Sequence, residues 1–307
     1  MRDKNGFGTV VKQTARISAD GVVGSRGFFL GVHRTFSRVC LNGAAALCTT
    51  VLVAAVAVAP VLADTLADIK EAGVVKFGVK ADVKPWAYVD SSGKPIGFEI
   101  DMAREIAKQL GAEAEFTTVT SANRIQYLEQ GKIEIVLATM SDTAKRRKVV
   151  KMIEPHYFGD ATNILAPAGT KFENWSDLMD SVLCGVQGAF YNKPIAQEFN
   201  AEVKAFKGPP EAIAALKQTQ CQAFIYSDQI LRIQQETEAD LKDYVVALEP
   251  RDTDLWAIAV NLGTEDESLA NALSEAIAAL HKSGKMLEMA KGHGLGGNPF
   301  LRAEANK

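Results

Sequence analysis

The chain has 307 residues, enough for two modest lobes rather than one minimal domain. Its composition, 47% hydrophobic and 23% charged, is typical of a globular protein. The formal net charge is −3, and it becomes −8 for residues 64–307 because residues 1–63 carry seven Lys/Arg and two Asp/Glu; that balance argues against nucleic acid as a partner.

The first 63 residues have the pattern of an export signal. Arg34 and Arg38 precede the charge-free apolar stretch LNGAAALCTTVLVAAVAVAPVLA, which ends at Ala63 with the small-residue pattern that a signal peptidase cleaves. An apolar run of about 20 residues is also long enough to span a bilayer, which is the alternative interpretation. We predict a signal peptide over 1–63 with an overlong N-terminal extension, cleavage near Ala63 and an exported mature protein.

Strands alternate with helices from the start of the mature chain. VVKFGVK (74–80) predicts a strand, GFEIDMAREIAKQLG a helix that ends at Gly111, and TSANRIQYLEQG a short helix. The run IEIVLA is apolar except for Glu134, which is typical of a parallel strand covered on both faces. Repetition of strand and helix predicts an α/β lobe with a parallel sheet.

The same alternation then starts again. SVLCGVQG, AEVKAF and CQAFIYSD predict the strands of a second α/β lobe, with helices between them. ATNILAP (161–167) and TDLWAIAVN (253–261) predict strands that cross between the lobes. We therefore predict two lobes, 64–163 with 255–307 and 164–254, each a mainly parallel sheet with flanking helices. Two crossover strands give such a protein a cleft and a hinge.

Two of the four cysteines, Cys184 and Cys221, remain in the mature chain. An exported chain with a single pair of cysteines favours a disulfide, because its compartment is oxidising. Two buried free thiols are the alternative. The sequence alone does not show that the two Cα atoms come within the ~7 Å that a bridge requires.

The segment ATMSDTAKRRK (138–148) follows an apolar strand and carries two hydroxyls and a cluster of basic residues. In an extended segment, the spacing of Thr139 and Ser141 directs both side chains to the same side. Arg146 follows five residues later, and a guanidinium donates two parallel hydrogen bonds to a planar carboxylate. The plainer interpretation is a strand end, a helix cap and a solvated basic turn.

Four segments of the chain occur in an order and spacing that resembles one known family. They are GFEIDMAREIAKQLG, TSANRIQYLEQGKIEIVLATMSDTAKRRKVV, GVQGAFYN and AFIYSD. The family is that of periplasmic solute-binding proteins that deliver polar amino acids to ABC importers, and the similarity extends from about residue 70 to about 290. It implies the two-lobed type II periplasmic binding-protein fold, an amino-acid ligand in the cleft and an inner-membrane permease as partner. It implies no cofactor and no catalysis.

The resemblance assigns roles to the residues of the predicted cleft. It implies that Thr139 and Ser141 contact the polar main-chain atoms of the amino acid and that Arg146 holds its α-carboxylate. In the second lobe it implies that Asp228 binds the α-ammonium, with capping of the following helix as the alternative. Gly188 matches a glycine whose backbone approaches the ligand.

One position departs from the family pattern. Phe190 replaces the small hydroxyl residue that is usual two positions after the matching glycine. The ligand therefore loses one hydrogen bond, or Phe190 packs on its side chain. This departure weakens any transfer of a ligand from a single relative.

Two further cations are candidates for the side-chain pocket. Lys80 and Arg124 match basic residues of the glutamate/aspartate-binding branch, so the predicted ligand is glutamate or aspartate, with glutamine, cystine or another polar amino acid as alternatives. A surface Arg124 paired with Glu129 or Glu134 is the alternative for that residue. Trp86 is predicted to wall the mouth of the cleft, or else to pack in the hinge.

Two other functional classes are compatible with this fold. One is a periplasmic cyclohexadienyl or arogenate dehydratase, which needs a general acid near the leaving hydroxyl. The other is a sensor module of a membrane kinase, which needs a transmembrane segment after the lobes. The four histidines are scattered, without metal-ligand spacing or a Ser/His/Asp order, so we predict neither a metal site nor an enzyme.

Overall fold

The computed structural model describes residues 64–307, so the predicted signal peptide over 1–63 lies outside the described residues. The helices are α1 (Thr65–Ala72), α2 (Phe98–Leu110), α3 (Arg124–Glu129), α4 (Asn192–Glu198), α5 (Pro209–Lys217), α6 (Asp228–Thr237), α7 (Glu267–Lys282), α8 (Lys285–Gly292) and α9 (Pro299–Glu304). The strands are β1 (Val74–Val79), β2 (Asp82–Val83), β3 (Ala87–Val89), β4 (Pro95–Ile96), β5 (Glu113–Thr118), β6 (Ile135–Val136), β7 (Lys151–Met152), β8 (Phe158–Pro167), β9 (Val182–Val186), β10 (Glu202–Phe206), β11 (Ala223–Ser227), β12 (Tyr244–Val246), β13 (Arg251–Trp256) and β14 (Ala259–Val260). Among residues 64–307, no helix is long and apolar enough to cross a membrane.

The first sheet has the strand order β5-β1-β6-β14-β7, and we call the part of the chain built on it lobe one. β1 pairs in parallel with β5 on one side and with β6 on the other. β14 pairs antiparallel with both β6 and β7. A small three-stranded sheet, β2-β3-β4, precedes α2.

The second sheet has the order β10-β9-β11-β8-β12, with β13 also paired to β8, and we call the part built on it lobe two. β9 pairs in parallel with β10 and β11. β8 pairs antiparallel with β11, β12 and β13. The α/β class and the two-sheet architecture that the sequence predicts are confirmed.

The sequence predicts mainly parallel sheets, and the structure adds an antiparallel part to each. β8 and β13, which overlap the predicted crossover strands, pair with each other antiparallel. One strand carries the chain into lobe two and the other returns it, so they run in opposite directions. β8 already belongs to the second sheet from Phe158 onward. The lobe boundaries, 64–163 with 255–307 and 164–254, stay a prediction.

α2 forms because its apolar residues recur at helical spacing and a glycine ends it. Gly111 takes a φ of 77°, in the left-handed region that favours glycine, and its N–H caps the helix. The buried face of α2 consists of Phe98, Glu99, Ile100, Met102, Ala103, Ile106, Ala107 and Leu110. This face carries one carboxylate, Glu99, which is fully buried.

The structure joins Cys184 and Cys221 in a disulfide within lobe two, with their Cα atoms 5.5 Å apart. Cys184 lies on β9, and Cys221 lies just before the neighbouring strand β11. Both cysteines are buried. The bond therefore connects two adjacent strands of the second sheet and closes a loop of 37 residues.

Candidate ligand-binding site

A small cavity lies between lobe one, lobe two and the crossover strands β8 and β13. Its volume is about 30 Å³, room for roughly two water molecules, so an amino acid enters only if the lining side chains or the lobes move. The lining residues are Ser121, Arg124, Thr139, Ser141, Arg146, Ala161, Ala189, Phe190, Tyr191, Tyr226, Ser227, Ile230, Asp254 and Trp256. Five of the predicted site residues are among them: Arg124, Thr139, Ser141, Arg146 and Phe190.

Arg146 crosses the cleft. It begins a short 3-10 turn over residues 146–148 and is only 8% exposed. Its Nη1 donates to the carbonyl oxygen of Ser141 at 2.6 Å, and its Nη2 donates to the carbonyl oxygen of Gly188 in lobe two at 3.2 Å. Burial lowers the pKa of Arg146, and the nearby carboxylate of Asp254 opposes that shift. The guanidinium therefore uses neutral carbonyls as partners and keeps further N–H groups for an anion.

Arg124 is the second cation on the cavity wall. It begins α3 and is 2% exposed, and its Nη1 donates to the carbonyl oxygens of Ala138 and Thr139. Its Nε has no hydrogen-bond partner among the described residues. Burial, followed by repulsion from Arg146, lowers the pKa of Arg124 to about 9. The alternative of a surface arginine paired with Glu129 or Glu134 is therefore wrong, since the side chain is buried beside the cavity.

Glu99 is a buried carboxylate beneath this wall that the sequence did not single out. Its Oε1 accepts from the backbone N–H of Thr139 at 2.8 Å and from the hydroxyl of Tyr157 at 2.6 Å. Its Oε2 has no partner in the part of the chain that the structure describes. Burial raises the pKa of Glu99, and the charges of Lys80 and Arg124 oppose the rise. Glu99 therefore holds the Thr139 backbone and places negative charge behind the two cations.

Lys80 lies one layer behind the cavity rather than on its wall. The side chain is 2% exposed, and its Nζ donates to the hydroxyl of Ser121, a lining residue, at 2.7 Å. Burial and repulsion from Arg124 lower the pKa of Lys80 to about 7. Lys80 therefore contacts the cavity wall through Ser121 and carries about half a charge near neutral pH.

Thr139 and Ser141 both line the cavity, but not through simple strand alternation. β6 ends at Val136, and Thr139 has a φ of 46°, a left-handed conformation that a β-branched residue rarely adopts. Ser141 forms an antiparallel bridge with Trp256 of β13. The loop after β6 is therefore fixed to the returning crossover strand, and this contact, rather than an extended backbone, directs the two hydroxyls.

Gly188 and Phe190 bring lobe two to the cleft. Gly188 has a φ of 79°, and a Cβ at this position would lie 2.5 Å from the carbonyl oxygen of Ser121 in lobe one. The two lobes therefore touch at this glycine. Phe190 lines the cavity and packs edge-on against Tyr191, with ring centroids 5.1 Å apart.

The structure does not bring Asp228 to the cavity. Asp228 is the first residue of α6, and its carboxylate accepts from the amide of Asn163 at 2.6 Å and from the Nε of Arg232 at 2.9 Å. The preceding residue, Ser227, ends β11, lines the cavity and caps α6 by accepting from the N–H of Ile230. Ser227, one residue before the predicted Asp228, is therefore the residue that lines the cavity. Successive side chains point in different directions where a strand turns into a helix.

Two other acids belong to the crossover strands, and one of them lines the cavity. Asp254 of β13 lines the cavity, and its carboxylate accepts from the indole Nε1 of Trp256 at 3.0 Å, with the hydroxyl of Ser141 nearby. Asp160 of β8 lies directly opposite Asp254 in the strand pairing. Burial raises the pKa of Asp254, and burial together with the charge of Asp254 raises the pKa of Asp160 to about 7.

The aromatic wall of the cavity is Trp256 rather than Trp86. Trp86 is fully buried, with its ring 5.6 Å from Phe158 and 5.8 Å from Trp256 between centroids. It therefore packs at the base of the crossover strands, which was the alternative interpretation. The prediction that Trp86 walls the cleft mouth is wrong, since an X-Pro-Trp sequence does not show which side of the hinge the ring faces.

One group of side chains outside the cavity has the atoms for a metal site. Asp142, Glu154 and His156 bring one ligand atom each within 4.8 Å of one another. Arg147 donates to the carboxylates of both Asp142 and Glu154, and His156 Nε2 lies 2.8 Å from Asp142. The guanidinium thus provides the positive charge that a metal ion would bring to the same carboxylates.

Two sheets joined by a pair of crossover strands, with a cavity of ionisable side chains between them, define a two-lobed binding protein of the type II periplasmic binding-protein fold. The chain belongs to the bacterial extracellular solute-binding proteins of family 3, whose family model matches residues 75–295.

Similar proteins carry the names of several amino acids. The chain is 32% identical over 234 residues to the ABC transporter glutamine-binding protein GlnH of Bacillus subtilis (strain 168), covering 74% of this chain and 84% of that protein. It is 24% identical over 261 residues to the L-glutamate/L-aspartate-binding protein of Pseudomonas aeruginosa, covering 79% and 85%. Among solved structures, an ancestral amino-acid-binding protein described as a precursor of cyclohexadienyl dehydratase superposes with a TM-score of 0.67 at 26% identity, covering 75% of this chain and 99% of that chain.

Proposed function

We propose that this protein binds a polar amino acid between its lobes, in the periplasm, and delivers it to an ABC importer, and that the preferred ligand is glutamate or aspartate. The observation that carries the proposal is the pair of buried arginines, Arg124 and Arg146, on the wall of the interlobe cavity. Relatives named for glutamine and for glutamate/aspartate support an amino-acid ligand and an importer partner. Cleavage near Ala63 would release the mature protein.

The charges of the cavity wall favour an acidic ligand. The ionisable groups other than tyrosine on the wall are Arg124, Arg146 and Asp254, a net +1 when all are charged. Lys80 and Glu99 lie together behind the wall with opposite charges. A dicarboxylic amino acid carries net −1 and balances this wall, whereas a neutral ligand leaves one positive charge and a basic ligand leaves two. A buried charge without a partner costs several kcal/mol, so a basic ligand fits worst.

The unpaired edge of Arg124 supports the same assignment. Its Nε is buried without a partner, and an unsatisfied buried donor costs about 1–3 kcal/mol, more when it is charged. A side-chain carboxylate at this edge would satisfy it and bind the fork of the guanidinium in parallel. Arg146 would take the α-carboxylate in place of the Gly188 carbonyl that it now contacts. Glutamine, cystine or another polar neutral amino acid can satisfy Arg124 through a carbonyl, with a weaker bond.

A competition experiment tests the ligand class. A thermal-shift screen of the twenty amino acids finds the binders, since a ligand at 100 times its dissociation constant adds about 2.7 kcal/mol of stability. Calorimetry then compares glutamate, glutamine and arginine on the wild type, on Arg124→Met and on the control Arg147→Met. We expect the wild type to prefer glutamate and Arg124→Met to lose that preference, at a cost of about 2–5 kcal/mol for glutamate.

The control keeps the outcome specific. Arg147 is 44% exposed on its side chain and pairs with Asp142 and Glu154 outside the cavity, so Arg147→Met removes the same charge without touching the wall. A wild type that already prefers glutamine or arginine would show that Arg124 is not the side-chain clamp. Equal losses in the two variants would show a general charge effect.

A dehydratase of the cyclohexadienyl or arogenate type is the second candidate. Two observations favour it: the likeness to a precursor of cyclohexadienyl dehydratase, and the carboxyl of Asp160, which burial keeps partly protonated near pH 7. Against it, both oxygens of Asp160 already accept hydrogen bonds, from Ala161 and Gln229 N–H groups and from the Ser227 hydroxyl. Incubation with prephenate and with arogenate tests it, and release of an aromatic product would establish catalysis.

A further inference from the structure

Two carboxylates face each other across the crossover strands, and neither is held in an ion pair among the described residues. Asp160 on β8 and Asp254 on β13 are register partners in the antiparallel pair. Neither forms an ion pair with a lysine, arginine or histidine within residues 64–307. Their hydrogen-bond donors are the backbone N–H groups of Ala161 and Gln229, the hydroxyl of Ser227 and the indole of Trp256. Burial and mutual repulsion disfavour the ionised form of this pair of acids, and a cation from outside the chain would stabilise it.

The acid predicted for the ligand's ammonium already has its partners. Asp228 binds Arg232 and Asn163, and it is absent from the cavity wall. Its charge is therefore matched inside the protein. Asp254, in contrast, lines the cavity, where a ligand group can reach it.

Ser141 connects the carboxylate of Asp254 to the guanidinium of Arg146. The carbonyl oxygen of Ser141 accepts from Arg146 Nη1 at 2.6 Å, and its hydroxyl lies close enough to the carboxylate of Asp254 to lower the pKa of that group. In an α-amino acid the carboxylate and the ammonium are bonded to the same carbon, so their two receptors have to be neighbours. Arg146 and Asp254, which share contacts with a single residue, meet that requirement.

We propose that Asp254, supported by Asp160 behind it, binds the α-ammonium group of the ligand, so that this group is recognised by the crossover strands rather than by Asp228 of lobe two. This inference rests on the proposed function. The α-carboxylate on Arg146 and the ammonium on Asp254 orient the α-carbon beside Ser141, and the side chain then extends toward Arg124. The ammonium provides the positive charge that the Asp160–Asp254 pair lacks.

The experiment compares Asp254→Asn with Asp228→Asn, two substitutions that remove a charge and keep the size of the side chain. Calorimetry measures the affinity for two pairs of compounds. L-Glutamate is compared with glutarate, which has the same two carboxylates and no ammonium, and L-glutamine is compared with glutaramate. For the wild type we expect the amino acid to bind at least 100-fold more tightly than its ammonium-free analogue. Asp254→Asn should lower the affinity for the amino acid by at least 30-fold and change the affinity for the analogue by less than threefold. Asp228→Asn should change neither affinity by more than threefold.

The outcomes separate this inference from the proposed function. If the wild type binds none of the amino acids, both the proposed function and the inference are refuted. A wild type that binds an amino acid, with the large loss in Asp228→Asn and none in Asp254→Asn, overturns the inference alone. If circular dichroism shows that Asp254→Asn does not fold, Asp254→Ser removes the charge with a smaller polar side chain. The deciding quantity is then the affinity of the folded variant for the amino acid divided by its affinity for the analogue. A ratio that stays at the wild-type value overturns the inference.

Discussion

The two charged sides of the cavity come from different parts of the chain and are stabilised in different ways. The basic side belongs to lobe one, where Arg124 and Arg146 donate to backbone carbonyls and Lys80 donates to a hydroxyl. The acidic side belongs to the crossover strands, where Asp160 and Asp254 face each other. The arginines thus have neutral partners that a carboxylate can replace, whereas the acids have a like-charged neighbour that a cation can relieve. A cavity built in this way separates positive from negative charge, as a zwitterion does.

Removal of Arg146 should break this arrangement most severely. We expect Arg146→Ala to lower amino-acid affinity by about 2–5 kcal/mol, because the α-carboxylate loses its charged partner and Asp254 loses its nearest cation. Calorimetry with the best-binding amino acid measures the loss, and a thermal melt verifies the fold. Arg147→Ala, in the same short turn but paired outside the cavity, is the control. Undiminished affinity in a folded Arg146→Ala protein would refute the carboxylate assignment.

The acidic side of the cavity should make the free energy of unfolding depend on pH. Burial and Asp254 raise the pKa of Asp160 from 3.8 to about 7, so the folded state retains a proton that the unfolded state has lost. The free energy of unfolding therefore falls as pH rises from about 4 to about 7, by about 4 kcal/mol at most for three pKa units. The groups that face Asp160 and Asp254 are Arg146, Tyr191 and Tyr226, and neither arginine nor tyrosine titrates in that range.

Urea unfolding of the ligand-free protein at pH 4, 5, 6 and 7 measures this dependence, in the wild type and in Asp160→Asn. We expect a smaller fall between pH 4 and 7 in the variant, in which Asp82, Glu99 and Asp254, whose pKa values burial also raises, still contribute. Asp243→Asn, at an exposed position of lobe two, should follow the wild type. The same slope in all three proteins would mean that Asp160 ionises normally.

The smallest expected effect distinguishes the cavity wall from the layer behind it. Lys80 contacts the cavity wall through a hydrogen bond to Ser121 and has a pKa of about 7, so it is about half charged at neutral pH. We expect Lys80→Gln to weaken glutamate by about 1 kcal/mol, well below the loss in Arg124→Met. Calorimetry at pH 6 and pH 8 should show the difference between wild type and variant shrinking at the higher pH, as Lys80 becomes neutral. A loss as large as that of Arg124→Met would place Lys80 in direct contact with the ligand.

Residues that follow a strand in a distinctive local sequence were predictable. The order of strands and helices, the class of fold and the cluster of Thr139, Ser141 and Arg146 all follow from ATMSDTAKRRK and the periodic segments around it. The prediction gave this cluster an extended backbone, yet Thr139 has a φ of 46° and the loop is directed by its bridge to Trp256. Local pattern therefore identified the residues but not the contact that positions them.

The acidic side was not predictable from local pattern. Asp160 and Asp254 are 94 positions apart in the sequence and become neighbours only through the antiparallel pairing of β8 and β13. A register shift between Arg251 and Asp254 further alters which side chains of β13 share a face. The signal that was available is the spacing of Asp254 and Trp256, a polar and an aromatic residue two apart in a crossover strand. Glu99 was missed for another reason, since an acid in the first turn of a helix is usually a surface partner of the helix dipole.

The bare α-carbon of Gly188 bears on how long a ligand stays bound. A Cβ there would lie 2.5 Å from the Ser121 carbonyl oxygen, a distance at which the backbones would have to separate. The absence of a single methyl group thus lets the two lobes meet directly over the cavity. A molecule enclosed behind this contact leaves only after the contact opens, so the residence time depends on the rate of lobe separation more than on the strength of any one hydrogen bond. Glycine at this position therefore allows the lobes to approach so closely that their separation can limit the rate of ligand release.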